Sequence, residues 1–398
     1  MRKKIIIVSG VFPPEPVTSA YLNYDLAMAL KDTYDVTVLR PAPTRPIGAN
    51  YSGKEYSYET PFKCIELNTY THPESDILGR LHETISFGIA CSKYIKNNHS
   101  DIDFIYNSSW QLFGYYIVAK TAVKYSIPFM VPIQDIYPEC VLPSNKGGIF
   151  RKVIFKVLLN FDVYYQKHAY RVRTISKEMA NYLSTTRKVS LDKYLVVNNW
   201  QDDSTYKNLS PSEHEKVVFA FVGSINKSSR VEYMINAFIR ANIPNTELRI
   251  YGNGVDRAHC ENLVKAKGIQ NIIFDSVPRD KVPYVQSECD ILLSALERGT
   301  AGLCLPSKLT SYMLSGRAII VSVDKDSATA RYITESRGGI IVEPDNEKEL
   351  ADAFTRIVAE GKEEIENYGR NNKAYAQQYL TKKVNLNIVV KSIKEILE

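Results

Sequence analysis

The chain is poor in the residues that staple or metallate a fold. Six cysteines are scattered over 398 residues (Cys64, Cys91, Cys140, Cys260, Cys289 and Cys304), with no C-x-x-C pair. That excludes a disulfide framework or a zinc ribbon and fits buried thiols in a reducing compartment. The six histidines form no H-E-x-x-H cluster, so no metal site is expected. No apolar run reaches the length of a membrane span; the densest, Val153–Tyr165, is broken by Lys156 and Asp162. The start, Met1-Arg2-Lys3-Lys4 then Ile5–Val8, has too short an apolar run for a signal peptide and no small-residue cleavage site. It reads as a buried first strand. No G-x-G-x-x-G follows that strand, which argues against a dehydrogenase. Helix-turn-helix, zinc-finger and RNA-binding signatures are also missing, so nucleic acid is not an expected partner.

What is present is alternation. A length of 398 residues suits two domains. Short apolar runs predict strands at Lys4–Ser9, Asp35–Leu39, Lys63–Leu67, Phe104–Asn107, Phe129–Pro132, Arg173–Ser176 and Leu195–Asn198, separated in large part by helical stretches. After a polar, turn-rich linker at Asn198–Leu209 the pattern restarts. Strands are predicted at Val217–Val222, Thr246–Tyr251, Ile272–Asp275, Asp290–Ser294, Ala318–Val323 and Gly339–Val342, with helices between and after them. This is α/β architecture built from parallel sheets. The expected division is an N-terminal Rossmann-like domain over 1–200 and a second over 201–375. A C-terminal helical segment, 376–398, closes the chain.

In such sheets ligands bind beyond the carboxyl ends of the strands. Four consecutive strands of the second half end in small or basic residues: Gly223-Ser224-Ile225-Asn226-Lys227-Ser228-Ser229-Arg230, Gly252-Asn253-Gly254, Val277-Pro278-Arg279, and Leu296–Pro306 with Arg298 and Gly299. The last loop runs through Leu305, Pro306 and Ser307 into a helix that carries Lys308 in its first turn. A cation there opposes the helix dipole unless an anion shares the end with it. A nucleotide diphosphate explains all four loops together. In the first half, Asp135 and Glu139 follow the strand Phe129–Pro132; Asp135 could serve a hydroxyl nucleophile or orient a sugar, and Glu139 reads as a helix cap. Asp101-Ile102-Asp103 precedes its strand and reads as a solvated turn rather than a metal pair.

Residues 151–188 carry nine Lys/Arg against Asp162 and Glu178, in a chain of net charge +6. With Phe150, Phe155, Phe161, Tyr164, Tyr165 and Tyr170 close by, this segment suits either an anionic membrane surface or a pair of core helices with solvated basic faces.

An ordered set of pieces resembles bacterial GT-B glycosyltransferases: Phe12-Pro13-Pro14-Glu15, Gln134-Asp135-Ile136-Tyr137-Pro138-Glu139, Asn199-Trp200, Val222-Gly223-Ser224, Gly252-x-Gly254, Pro306-Ser307-Lys308-Leu309-x-x-Tyr312-Met313-x-x-Gly316 and Gly338-Gly339-x-x-x-Glu343-Pro344. The nearest look is to retaining transferases of capsule and O-antigen assembly, including those that transfer N-acetyl-L-fucosamine. The resemblance implies two Rossmann-like domains facing across a cleft. It implies a UDP-type donor in the second domain, a lipid-linked saccharide or polysaccharide acceptor at the first, and no separate cofactor or metal. Lys308 and Arg230, with Lys227 and Arg298, would stabilise the leaving diphosphate, and Asp135 would act at the acceptor. A cytoplasmic enzyme, peripheral on the inner membrane face, follows. A GT-B epimerase or phosphorylase, or a scaffold subunit without activity, is the alternative. The resemblance also implies that the last helix, Thr381–Leu397, crosses back to the first domain. The chain departs from the pattern in several places: Leu303 and Ser311 stand where many relatives carry two Glu, the second of which holds the ribose; Ser224 and Ser229 stand where relatives often have Arg and Lys, with Lys227 and Arg230 nearby; and Gln134 or Asp135 replaces a His common in the first domain.

Overall fold

A computed structural model describes residues 2–45, 51, 60–72, 74, 76–110, 112–142, 148–207, 209, 214–299 and 307–398, without the side chain of Ser307. The chain divides into two compact units, residues 1–198 with 386–398, and residues 199–385.

The first unit holds β1 (Lys4–Ser9), α1 (Thr18–Leu30), β2 (Asp35–Arg40), β3 (Lys63–Glu66), α2 (Ile77–Asn98), β4 (Phe104–Ser108), α3 (Phe113–Lys124), β5 (Phe129–Ile133), α4 (Ile149–His168), β6 (Arg171–Thr174), α5 (Lys177–Arg187) and β7 (Tyr194–Val196). The strands form one parallel sheet in the order β3-β2-β1-β4-β5-β6-β7. Ile5, Ile6, Ile7 and Val8 are fully buried. A continuous apolar run is what a central strand covered on both faces requires. Strand order reverses between β1 and β4, and there Asn23 Nδ2 bonds Ser9 Oγ at 2.7 Å and Ser108 Oγ at 3.1 Å.

Three expectations for this unit change. β6 lies two residues earlier than the predicted Arg173–Ser176, because its arginines hid it. Arg173 is buried and bonds the carbonyls of Val197 and Asn198, while Ser176 caps α5. Glu139 is no helix cap: it is buried and paired with Arg187 Nη1 and Nη2 at 2.5 and 2.8 Å. Arg187 also binds Asp162 at 2.6 Å and the Tyr137 carbonyl at 2.8 Å. Asp103 is more than a solvated turn residue, since its carboxylate accepts the Lys4 N–H at 2.7 Å and fixes the start of β1.

The second unit holds β8 (Val217–Val222), α6 (Val231–Ala241), β9 (Thr246–Tyr251), α7 (Arg257–Ala266), β10 (Ile272–Asp275), α8 (Val282–Ser287), β11 (Ile291–Ala295), α9 (Ser307–Leu314), β12 (Ala318–Ser322), α10 (Ala328–Ser336), β13 (Gly339–Val342), α11 (Glu347–Glu360) and α12 (Lys362–Tyr379). Its parallel sheet runs β10-β9-β8-β11-β12-β13, so order reverses between β8 and β11. One core side is centred on Phe219, Phe238 and Phe354, whose ring centroids lie 5.1–6.2 Å apart. The predicted linker is well packed: Trp200 and Tyr206 are both buried. The last helix, α13 (Lys382–Leu397), starts in the second unit, and its residues from Leu386 on group with the first. There Val389 and Ile393 are fully buried, and Lys3 Nζ donates to the Leu397 carbonyl.

Candidate active site

The two strands flanking the reversal in the second sheet, β8 and β11, pair only at Phe219–Ile291 and Ala220–Leu292. Beyond that they diverge. Peptide groups along β8 face alternate neighbours, so the Val222 N–H and C=O point to the side that β11 has left. The Tyr312 hydroxyl of α9 takes both: it accepts from Val222 N at 2.9 Å and donates to Val222 O at 3.2 Å. Tyr312 is itself fully buried, among Leu309, Met313 and Leu314 of the same helix. This strut fixes the start of α9 above the end of β8.

One turn before Tyr312, Lys308 therefore lies across Gly223. A Cβ on Gly223 would stand 1.9 Å from Lys308 Cε, so a glycine is needed for the two to meet. The Lys308 ammonium sits 4.7 Å from the Phe221 ring centroid, and burial pulls its pKa down to about 8. Among the described residues it has no hydrogen-bond or ion-pair partner. A half-buried cation beside a helix N-terminus and an open strand end has the chemistry that an anion would satisfy.

The neighbouring glycines have a packing reason. Cβ atoms at Gly252 and Gly254 would come within 1.9 Å of the Gly223 carbonyl oxygen and 2.0 Å of the Ile225 carbonyl oxygen. The two loops lock together through Gly223 N to Tyr251 O at 2.8 Å and Ile225 N to Asn253 O at 2.9 Å. Asn253 also accepts from Arg257. Gly252, Asn253 and Gly254 thus support the Gly223 loop from behind.

The other residues expected at the site separate into groups. Ser224 and Lys227 are exposed on the Gly223 loop. Arg230 is already committed: it pairs with Asp345 and approaches Glu297 at 3.9 Å. Arg298 bonds the Pro344 carbonyl at 2.9 Å and faces Glu343, which Lys325 also holds at 3.1 Å. The Gly299 N–H donates to Asp324 at 2.8 Å. Val277 and Pro278 follow the edge strand β10, two strands from β8. Leu305 and Pro306 lie outside the described residues, and Ser307 is described only as the first residue of α9. Ser311 is buried, donating to the Lys308 carbonyl at 2.8 Å and accepting from Gln286 at 3.2 Å. It faces the core. A groove of about 450 Å³ lined by Asn226, Lys227, Arg230, Glu232, His259 and Glu347 includes neither Gly223 nor Lys308; its mixed charge does not suit a diphosphate.

In the first unit Asp135 follows β5 and is exposed at its side chain, while the protein groups packed around its carboxyl displace enough water to raise its pKa. The beginning of the chain supplies a cluster that sequence reading passed over. Trp110, after β4, packs against Gly10, and Arg45 lies 4.5 Å from its ring centroid. Arg45 pairs with buried Glu83 at 2.6 Å, and Glu15 accepts the N–H groups of Thr44 and Arg45 at 2.9 Å. Glu15 belonged to a motif that was quoted above; Arg45 and Trp110 sat alone in loops and gave no signal. Among the described residues, His72, Glu74 and Asp76 are the only close group of metal-type side chains, and His72 is already bonded to Asp76.

Two parallel-sheet α/β units, with the strand-end site at the reversal of the second sheet, define the GT-B class of fold. Structural similarity agrees: HepE of Anabaena, solved in complex with UDP-glucose, superposes with a TM-score of 0.68 at 13% identity, covering 98% of this chain and 99% of that one. Residues 202–375 match the family described as glycosyl transferases group 1. Two curated relatives extend the similarity. WbjE of Pseudomonas aeruginosa, named as a glycosyltransferase, is 23% identical over 252 residues, covering 59% of this chain and 61% of WbjE, less than two thirds of its length. WcaI of Escherichia coli (strain K12), named for colanic acid biosynthesis, is 22% identical over 346 residues, covering 80% of this chain and 82% of WcaI.

Proposed function

We propose that the chain transfers a sugar from a UDP-type nucleotide sugar to a lipid-linked or polysaccharide acceptor during assembly of a bacterial surface polysaccharide, with retention at the anomeric carbon. The observation that carries this reading is Lys308: a partly desolvated cation without an anion among the described residues, laid over Gly223 at the reversal of the second sheet. The UDP-glucose bound by HepE and the biosynthetic naming of WcaI support the donor and acceptor classes.

In this reading the diphosphate lies against the first turn of α9 and the Gly223 loop. As the bond to the sugar breaks, charge grows on the leaving phosphate, and Lys308 with the free N–H groups of the helix stabilises it. Lys227, exposed on the same loop, is the second cation. Arg230 and Arg298 join only by leaving their carboxylates. Asp135 orients the acceptor hydroxyl and takes its proton. Ribose recognition falls to groups other than Ser311. An N-acetyl-fucosamine-like sugar is the first donor to try, on the strength of the motif resemblance.

The test is incubation of the purified protein with a panel of UDP-sugars and lipid-linked acceptors. Transfer by the wild type and its loss in Lys308→Ala is the expected result. No transfer, together with no nucleotide-induced thermal shift, overturns the proposal.

A further inference from the structure

α9 is short, eight residues from Ser307 to Leu314, and a helix of about two turns is not held by its own hydrogen bonds. Tyr312 ties its second turn to β8. Lys308 belongs to the first turn, where helix ends fray, and needs an anchor of its own. Its slot is narrow: a Cβ on Gly223 would stand 1.9 Å from Lys308 Cε. A small shift of the first turn therefore moves the ammonium off its place.

A buried hydrogen-bond chain ends on that turn. Ser311 Oγ lies 2.8 Å from the Lys308 carbonyl oxygen. A carbonyl only accepts, so the Ser311 hydroxyl gives it its single proton. Toward Gln286, 3.2 Å away, Ser311 must then accept, and the Gln286 amide presents its nitrogen. The Gln286 oxygen is left facing Tyr206, whose hydroxyl donates to it at 3.3 Å. The order Tyr206, Gln286, Ser311, Lys308 carbonyl thus runs in one direction, set by its last member. Tyr206 lies just after the chain enters the second unit at Asn199, and Gln286 lies on α8. Tyr206, Gln286 and Ser311 are 4%, 1% and 5% exposed. Burial also pushes the Tyr206 pKa up, so the phenol keeps the proton it donates. Away from water each bond polarises the next, and a broken one leaves an unpaired group.

We infer that Gln286 is a positioning residue for Lys308, acting through Ser311 on the first turn of α9. This role rests on the proposed donor site, because it gives Gln286 the task of presenting Lys308 to a diphosphate. The chemistry of the middle member favours it over a core amide that is merely satisfied. An amide accepts from Tyr206 at one end and donates to Ser311 at the other. A carboxylate at 286 could only accept, and it would draw the Ser311 proton away from the Lys308 carbonyl. Ser311 then has both its proton and a lone pair committed to holding Lys308, which accounts for its facing the core instead of the strand-end loops.

The experiment is a double-mutant cycle read by calorimetric titration of UDP into the full chain: wild type, Gln286→Met, Lys308→Ala and the two substitutions together. With Lys308 present, Gln286→Met should weaken UDP binding about fivefold, the scale of one hydrogen bond. In the Lys308→Ala background it should have no further effect, because the residue it positions is gone. A general role in stability would instead lower affinity equally in both backgrounds. Ser311→Ala, which removes a single oxygen, should repeat the pattern with an unchanged circular dichroism spectrum, and it carries the test should Gln286→Met fail to fold. Equal loss in both backgrounds overturns the inference and leaves the donor site standing. So does no loss from either substitution while Lys308→Ala binds more weakly than wild type. No binding of UDP to the wild type, or equal binding by wild type and Lys308→Ala, overturns the donor site and this role with it.

Discussion

Lys308 is held where burial makes its charge costly, and the proposed reading gives that charge a diphosphate to meet. Burial brings its pKa down to about 8, so the free enzyme loses the cation as pH rises through that value. The donor kcat/KM, which reports on free enzyme, should fall above pH of about 8. A bound diphosphate favours the charged form and should move the corresponding limb of kcat upward. Lys308→Arg should push the alkaline limb out of range, and a pH profile checks both. Lys308→Ala should lower kcat by about 10²–10³, the usual loss for one group that stabilises a leaving anion. Gly223→Ala adds a Cβ 1.9 Å from Lys308 Cε and must displace that side chain. It should weaken UDP binding without touching the nucleotide, which a thermal-shift titration reads.

At the scale of elements, Tyr312 joins α9 to β8 where the sheet opens. Tyr312→Phe leaves the Val222 N–H and C=O without their partner in a buried place. The expected loss is about 1–3 kcal/mol in denaturant unfolding, with a fall in kcat/KM because Lys308 loses its anchor. In the first unit Arg187 joins α4, α5 and the segment that carries Asp135. Arg187→Met strands two buried carboxylates and should destabilise by about 3–5 kcal/mol. These elements also show what sequence can disclose. The strands of the second half read clearly because each is a short apolar run ending in a glycine or a polar loop. Lys308 was legible as a cation on the wrong end of a helix. Arg187, Glu139 and Asp162 were not, because a buried charge is recognised only by partners far away in the chain. The same holds for Arg45 and Trp110, which meet only when the loops after β2 and β4 are brought to one edge. Arg230 misled in the other direction: its loop suggested phosphate, while Asp345 lies 115 residues on and takes its charge.

For the whole molecule, each sheet reverses its order after its third strand, the first with seven strands and the second with six; Lys308 lies at the reversal of the second, and Asp135 follows β5 in the first. If Lys308 and a helix end neutralise the diphosphate, no divalent ion is needed. EDTA should then leave transfer unchanged; activity lost to EDTA and restored by Mg²⁺ would contradict that. The most direct test of the central claim is a calorimetric titration of UDP into the wild type and Lys308→Ala. The account predicts saturable binding to the wild type and about tenfold or weaker binding to the variant, the scale of one charge-assisted contact. Equal affinity in the two proteins, or no binding of UDP to the wild type, would contradict it.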